Sequence, residues 1–462
     1  MKSTAGHILL IHVDQMRWDA PGYAGGQALT PNLDRLAERG VVFNNAHAQS
    51  PVCMPSRISM FSGRYPSALQ IEEMGIPAPE GLQTLPSVLK GNGFTTGIVG
   101  KLHFVPHANR DHTLPHPSYG FERLEISEEP GAYEDAYLAW VKTYFPHKTQ
   151  DVSFGTPPAA VAWRAAFGSD ESSDSPRDDY ADVYVTENEA CSHSAWVGSR
   201  TVESVKELSH SGKSFLVASF FSPHSPYFVP KTYWDLYEDV EIKEPYLTTV
   251  ERSSEAADEA TLDQIRKLKR GYFAQISEVD FQIGQILAAY EEEGLIKDLL
   301  VIFTSDHGEW AGDNFRFSKG FPADDPVTRV PLIFSGAGIE ANRTVDDVVE
   351  LVSVAPTILA LSGVATPSDM QGLNLFSNDF ADDHVNKNAI TESFGWRSLR
   401  SSNFRYLISV SGDEHLQMVH NDRDWGQVLD VDSDADAFLS ARKELILKML
   451  RSTQRVPRDW PY

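Results

Sequence analysis

Short apolar runs rich in β-branched residues alternate along this chain with stretches of helical period. HILLIHV (7–13), TTGIVG (95–100), SFLVASFF (214–221), LLVIFTS (299–305) and VPLIFSG (330–336) show almost no polar alternation. Continuous runs of this length, bounded by turn residues, mark strands buried on both faces, and all five read as parallel strands. The helices between them carry start and stop signals. TPNLDRLAERG has Thr30 as N-cap, Pro31 in the first turn and Gly40 as stop, and TLPSVLKGNG repeats the scheme with Thr84, Pro86 and Gly91. Residues 263–292 show the apolar stripe of one long amphipathic helix. The alternation predicts an α/β fold: a large, mostly parallel sheet with helices on both faces.

From residue 366 the pattern changes. NAITESFG, WRSLRSSNFRYLISV, EHLQMVH and QVLDV read as an antiparallel meander, and the helix ADAFLSARKELILKMLRS comes after them. The chain is therefore divided into a catalytic α/β domain, 1–365, and a small C-terminal antiparallel α+β subdomain, 366–462. Residues 125–195 are acidic and irregular, and read as a solvated loop in preference to a substrate-facing lid. There are no internal repeats.

The length of 462 residues fits one large domain plus a smaller one. A net charge of −25, from 65 acidic against 40 basic residues, argues against nucleic-acid or anionic-membrane partners. The two cysteines form neither a disulfide framework nor a metal box. The first residues lack a signal-peptide layout, and no segment is as long as a membrane span, so a cytoplasmic location is expected. Oligomeric state is left open, a homo-oligomer included.

The residues just past the strand ends carry the chemistry. Asp14 and Gln15 come after the first strand, Lys101 and His103 after the second, His224 after the third, and Asp306 and His307 after the fourth. Parallel strands end along one edge, where ligands bind, so these residues are expected on one rim. The oxygens of Asp14, Gln15 and Asp306 suit a hard divalent ion such as calcium, and the imidazole of His307 widens the choice to manganese. Lys101, His103 and His224, with Lys319 soon after the second metal-type pair, suit an anionic substrate and a leaving group that needs a proton. Cys53 opens a helix in SPVCMPSRISMFSG. A thiol at a helix start can be an activated thiolate or a buried structural cysteine, and the position alone does not choose.

The neighbours choose. CMPSR resembles the Cys-x-Pro-x-Arg maturation motif of the sulfatase family, in which the cysteine is oxidised to formylglycine. HILLIHVDQMRWD, the stretch from Thr30 to Arg57, GKLHF, SPHSPY, FTSDHGE, RVPLIF and APTILALSG are similar to further elements of that family, over residues 7 to 375. The resemblance implies a formylglycine-dependent, metal-dependent sulfate ester hydrolase. It implies that Asp14, Gln15, Asp306, His307 and the modified residue 53 hold one divalent ion, that Arg57 orients the nucleophile, and that Lys101 and Lys319 bind sulfate oxygens. It gives His224 the role of leaving-group acid and His103 a part in releasing sulfate. A small anionic sulfate ester and the formylglycine-generating machinery are the implied partners. Gln15 and His307 depart from the commoner aspartate and asparagine, as in the branch of choline sulfatases and phosphonate monoester hydrolases. Phosphonate monoester or phosphodiester hydrolysis on the same scaffold is therefore the alternative. A degenerate binding protein and a cysteine-nucleophile hydrolase are weaker ones. Trp396 and Arg397 are candidates for a pocket wall, weighed against a plain surface strand.

Overall fold

The buried apolar runs form the middle of a nine-stranded sheet in the computed structural model, which describes residues 5–106, 114–130, 133–149, 151–152, 182–208, 212–321, 323–382, 384–419 and 428–452. In chain order the strands are β1 (His7–Val13), β2 (Gly40–His47), β3 (Thr95–Gly100), β4 (Arg123–Ile126), β5 (Ser214–Phe220), β6 (Leu299–Ser305), β7 (Arg329–Val330), β8 (Leu332–Gly336) and β9 (Arg343–Glu350). Across the sheet they lie in the order β9-β2-β8-β6-β1-β5-β3-β4, with β7 paired to β2. β6, β1, β5, β3 and β4 form a parallel run.

The run 330–336 is a correction. Its strand, β8, is antiparallel to both β6 and β2. A parallel return needs a crossover to the far end of the sheet. Between β6 and β7 the described residues hold only a three-residue 3-10 turn and the four-residue helix Asp325–Thr328. The chain therefore stays at the rim where β6 ended and re-enters from there.

Side-chain alternation along the strands divides the core in two. Leu9, Ile11 and Val13 of β1 face α1 (Pro31–Glu38), α4 (His193–Leu208) and α5 (Glu259–Glu292). Ile8 and Leu10 face α2 (Cys53–Ser62), α3 (Leu85–Gly91) and α6 (Val354–Leu361). Helices thus cover both faces. The small sheet is a meander of β10 (Ala389–Ser393), β11 (Trp396–Arg400), β12 (Phe404–Ser409), β13 (Glu414–Met418) and β14 (Val428–Leu429). α7 (Ala435–Ser452) packs on it through Phe438, Ala441 and Leu445, and Tyr65 and Val352 join that core from the large layer. Met370, Leu375 and Phe380, which precede β10, belong to the core of the large sheet.

Residues 125–195 are more ordered at their ends than a solvated loop. β4 extends the large sheet, Ala136–Tyr144 is a helix, and Val183–Thr186 pairs with Tyr227–Pro230. The middle of that stretch, 153–181, lies outside the described residues.

Thr84 caps α3 as expected, in a reciprocal box with Ser87. Thr30 does not cap α1. Its hydroxyl accepts from the Gly22 N–H and donates to Asp34. The first-turn N–H groups of Asn32 and Leu33 donate instead to the carboxylate of Asp280, on α5, at 3.1 and 2.8 Å. A carboxylate there also meets the positive end of the helix. Asp280→Ala is therefore expected to lower the unfolding free energy by about 2 kcal/mol. A urea melt reads this, and an unchanged midpoint would return the cap to Thr30.

Candidate active site

The register of the sheet sets the site. β1 and β6 are neighbours with Val13 opposite Ser305, so Asp14 and Asp306 leave the sheet side by side. α2 is laid beneath the same rim with Cys53 as its first residue. Among the described residues no side chain caps that helix, so its uncapped N-terminus lies at the Cys53 end. Gly100 brings β3 in closely: a Cβ there would sit 1.8 Å from the Ser219 carbonyl oxygen, and the φ of +109° suits glycine. The Lys101 N–H then bonds that same carbonyl at 3.0 Å, which fixes where the lysine starts.

All ten site residues expected from the sequence meet here. Cys53 Sγ lies 2.7 Å from Lys319 Nζ, 3.1 Å from His307 Nε2 and 3.7 Å from Asp14 Oδ1. The His103 ring is buried beside them and helps to lower the thiol. Lys319 Nζ is 2.8 Å from His224 Nε2, so the two groups touch beside the nucleophile position. Lys101 Nζ pairs with Asp14 Oδ2 at 2.8 Å. Arg57, one turn along α2, donates through Nε to Asp306 Oδ2 at 2.6 Å and through Nη2 to Asp14 Oδ2 at 3.3 Å. Its Nη1 reaches the Lys101 carbonyl at 2.8 Å and Ser219 Oγ at 3.2 Å. Each acid thus turns Oδ2 to a cation. Asp14 Oδ1 faces Cys53 and His307, and Asp306 Oδ1 accepts from the N–H groups of Gln15 (3.0 Å) and His307 (2.9 Å).

Burial shows which side is open. Asp14, Gln15, Cys53, Arg57, Asp306 and His307 are fully buried, Lys101 and His103 nearly so. His224 is 8% exposed and Lys319 half-buried, so a substrate must approach past these two. Gln15 (φ +70°), His103 (+57°) and Ser318 (+65°) all hold left-handed backbone, costing about 1–3 kcal/mol each. Such strain concentrates where a side chain has to be aimed.

The charges reinforce one another. Burial alone would push the Cys53 thiol up, but Lys319, His307 and Lys101 outweigh it and hold the thiol well below its usual range. Burial and Cys53 would raise the Asp14 carboxyl, and Lys101, His224 and Arg57 bring it well below the usual range. Burial would lower Lys101, but Asp14 and Cys53 raise it. Lys319 is likewise lowered by burial and raised overall by Cys53 and Asp14. The site is built to hold an anion at position 53 and cations around it.

The donor set fits a divalent ion. One ligand atom each from Asp14, Cys53, Asp306 and His307 lie within 4.8 Å of one another. Gln15 Nε2 donates to Glu309, which turns its amide oxygen the other way; that Oε1 is buried and meets no hydrogen-bond donor among the described residues. A buried carbonyl oxygen held so is available to a hard cation.

The sequence reading missed Glu309, Glu128 and Glu129. Glu309 fixes Gln15 and accepts from the Ala311 N–H. Glu128 accepts from the His103 N–H at 2.6 Å, and Glu129 lies 4.0 Å from Lys101 Nζ. Both come just after β4, so the strand-end rule that found the others would have found them had RLEI been read as a strand. Of the candidates on the small sheet, Trp396 has its ring 5.4 Å from that of Phe321, two residues beyond Lys319, tilted by 34°. Arg397 is held by Glu72 and Glu392, a tie between layers rather than a pocket cation.

Comparison with known proteins gives the family. The family model described as Sulfatase matches residues 6–364. An arylsulfatase of Clostridium perfringens is 28% identical over 395 residues, covering 80% of this chain and 77% of that protein. A choline-sulfatase of Rhizobium meliloti is 27% identical over 384 residues, covering 78% and 68%. Among solved structures, the phosphonate monoester hydrolase SpPMH from Silicibacter pomeroyi shares the fold, with a TM-score of 0.73, 20% identity and 96% of each chain covered.

A divalent ion should stabilise the folded chain. At a free concentration of 100 times its Kd the gain is about 2.7 kcal/mol. Thermal melts with and without added ion are expected to show that gain in the unaltered chain and its loss in Asp306→Ala. An equal shift in both would remove Asp306 from the ligand set.

Proposed function

The chain belongs to the sulfatase family, and from that premise we propose that it hydrolyses a small sulfate ester to inorganic sulfate and an alcohol, using one divalent ion and a formylglycine made from Cys53. The observation that supports this best is the position of Cys53. It opens α2 at the centre of the ligand cluster, with Lys319 at 2.7 Å and His307 at 3.1 Å from its sulfur. In the matured enzyme that sulfur position is taken by an oxygen on the same carbon atom. A formylglycine hydrate supplies two hydroxyls on one carbon, one to attack sulfur and one whose ionisation releases sulfate.

The chain's own residues do the rest. Asp14, Gln15, Asp306 and His307 would hold the ion, with calcium favoured by the oxygen donors and manganese admitted by the imidazole. The ion supplies positive charge that activates the nucleophile and offsets charge on the sulfuryl oxygens. Lys101 and Lys319 flank the nucleophile position and bind the remaining sulfate oxygens, as preorganised cations in a dry site. Arg57 neutralises the two acids and fixes their orientation. His224 has its Nδ1 against the Ser225 carbonyl, which can only accept, so Nδ1 carries a hydrogen. Nε2 is then the atom that faces Lys319 and the entrance; it takes up a proton from Lys319 Nζ, 2.8 Å away, or from water, and passes it to the departing alcohol. His103, buried at the same rim, takes the proton lost as sulfate leaves.

Phosphonate monoester hydrolysis is a second reading. The pairing of Gln15 with His307, both at the ligand cluster, favours it, since this set departs from the commoner sulfatase ligands. The ratio of turnover on 4-nitrophenyl sulfate to turnover on a phenyl phosphonate monoester decides between the two.

Two outcomes are expected. Protein made with formylglycine-generating machinery should carry a peptide containing residue 53 that is lighter by about 18 Da than its cysteine form. A free, alkylatable thiol throughout a fully active preparation would contradict the reading. His224→Ala should cost about 10²–10⁴-fold on an alkyl sulfate, and far less on 4-nitrophenyl sulfate, whose phenolate leaves without help. Equal losses across a leaving-group series would move the acid role to another group.

A further inference from the structure

Outside the reaction centre, buried charge is concentrated where the small sheet meets the rim. Resting on the hydrolase reading above, we infer that Arg400 is a positioning residue, which acts through Asp325 to hold in register the three segments carrying the metal ligands, the nucleophile and Lys319.

The short helix Asp325–Thr328 touches nothing that reacts, yet its carbonyls brace two of those segments. Val327 O accepts from the Gly308 N–H at 2.6 Å and Pro326 O from the Glu309 N–H at 2.8 Å, directly after the ligands Asp306 and His307. Thr328 O accepts from the Ala48 N–H at 2.7 Å, just past β2 on the way to Cys53. The third segment, with Lys319, lies six residues before Asp325 in the chain. The fit is close: a Cβ on Gly308 would lie 2.0 Å from the Pro326 carbonyl oxygen.

A four-residue helix does not hold itself in place, because a single turn carries the whole cost of nucleation. Charge holds this one. Arg400 grips Asp325 with both arms of its guanidinium, at 3.0 and 3.1 Å, and Arg405 pairs with Asp324 at 2.5 Å. Arg400, Arg405 and Asp325 are 4–6% exposed. The two arginines are directly opposite each other on β11 and β12, a pairing that repels unless each has its own counter-charge. Adjacent aspartates supply the two counter-charges. A bidentate guanidinium–carboxylate pair fixes orientation as well as distance, and a lysine cannot reproduce it. The small sheet is itself fastened to the nucleophile strand, through the Glu392 N–H to the Gln49 carbonyl (2.8 Å) and Thr391 Oγ1 to the Ala48 carbonyl (2.7 Å). Arg400 therefore projects from a surface already in register with Cys53.

The test uses two variants of the full, matured chain. Arg400→Lys keeps the charge and loses the fork. The paired Arg400→Met with Asp325→Leu removes both charges, so neither is left buried alone. Each is assayed well below its own melting midpoint, with 4-nitrophenyl sulfate for kcat and KM and with calcium chloride in a calorimeter for ion affinity. Both variants are expected to fold, with kcat reduced about 10²-fold, because small misplacements remote from the chemistry have that effect. Calcium affinity should fall about tenfold, as for other supports of metal ligands. A folded variant with the kcat of the unaltered chain overturns the inference, whatever its KM. Failure of both variants to fold also overturns it, since the clamp would then serve stability alone. If the unaltered chain turns over no sulfate ester, the sulfate-ester reading fails, and calcium affinity becomes the measurement that decides the clamp.

Discussion

Arg57 lies between Asp14 and Asp306 with no exposed surface, and its position answers a problem that the sheet creates. Neighbouring parallel strands deliver the residues after them to adjacent places, so β1 and β6 put two carboxylates side by side in a buried rim. Two such charges repel strongly where water cannot screen them. The guanidinium contacts one oxygen of each and leaves the other oxygens directed at the ligand cluster or at backbone N–H groups. Because it is one turn from Cys53 on the same helix, the counter-charge and the nucleophile position arrive together.

A second balance is built on the first. The chain as a whole is strongly acidic, and its field opposes the approach of an anion. Lys101, Lys319 and the first turn of α2 reverse that field over a few ångströms. The lysines do not stand alone: one is paired with Asp14 and the other with Cys53 and His224. A sulfate group entering the site therefore replaces contacts that already hold the cations in position, so little side-chain freedom is lost on binding.

Much of this was legible in the sequence, for a physical reason. A strand buried on both faces has to be apolar throughout, so β1, β3, β5 and β6 stand out, and the residues after them are placed by topology alone. What was missed lies where that reason lapses. β2 contains Asn44 and Asn45 towards solvent, and β9 carries Asp346 and Asp347 at a register shift, so neither reads as a continuous apolar run. β4 is four residues long in an acidic neighbourhood, which hid Glu128 and Glu129. The direction of β8 is a property of the connection before it, not of its composition. Thr30 had the right chemistry for a cap, but Asp280 holds those N–H groups from a helix some 250 positions later in the chain.

All ten residues of α2 are buried, Cys53 among them. Among the described residues, the thiol is approached past His224 and Lys319, while the CMPSR backbone around it is covered. The groups that close over it, around residues 306 and 319, are encoded more than half a chain length later. During synthesis from the N-terminus, a nascent chain therefore presents its CMPSR segment uncovered while the covering parts do not yet exist. Under the maturation proposed for Cys53, the order of translation would give the modification a window that the order of packing then narrows.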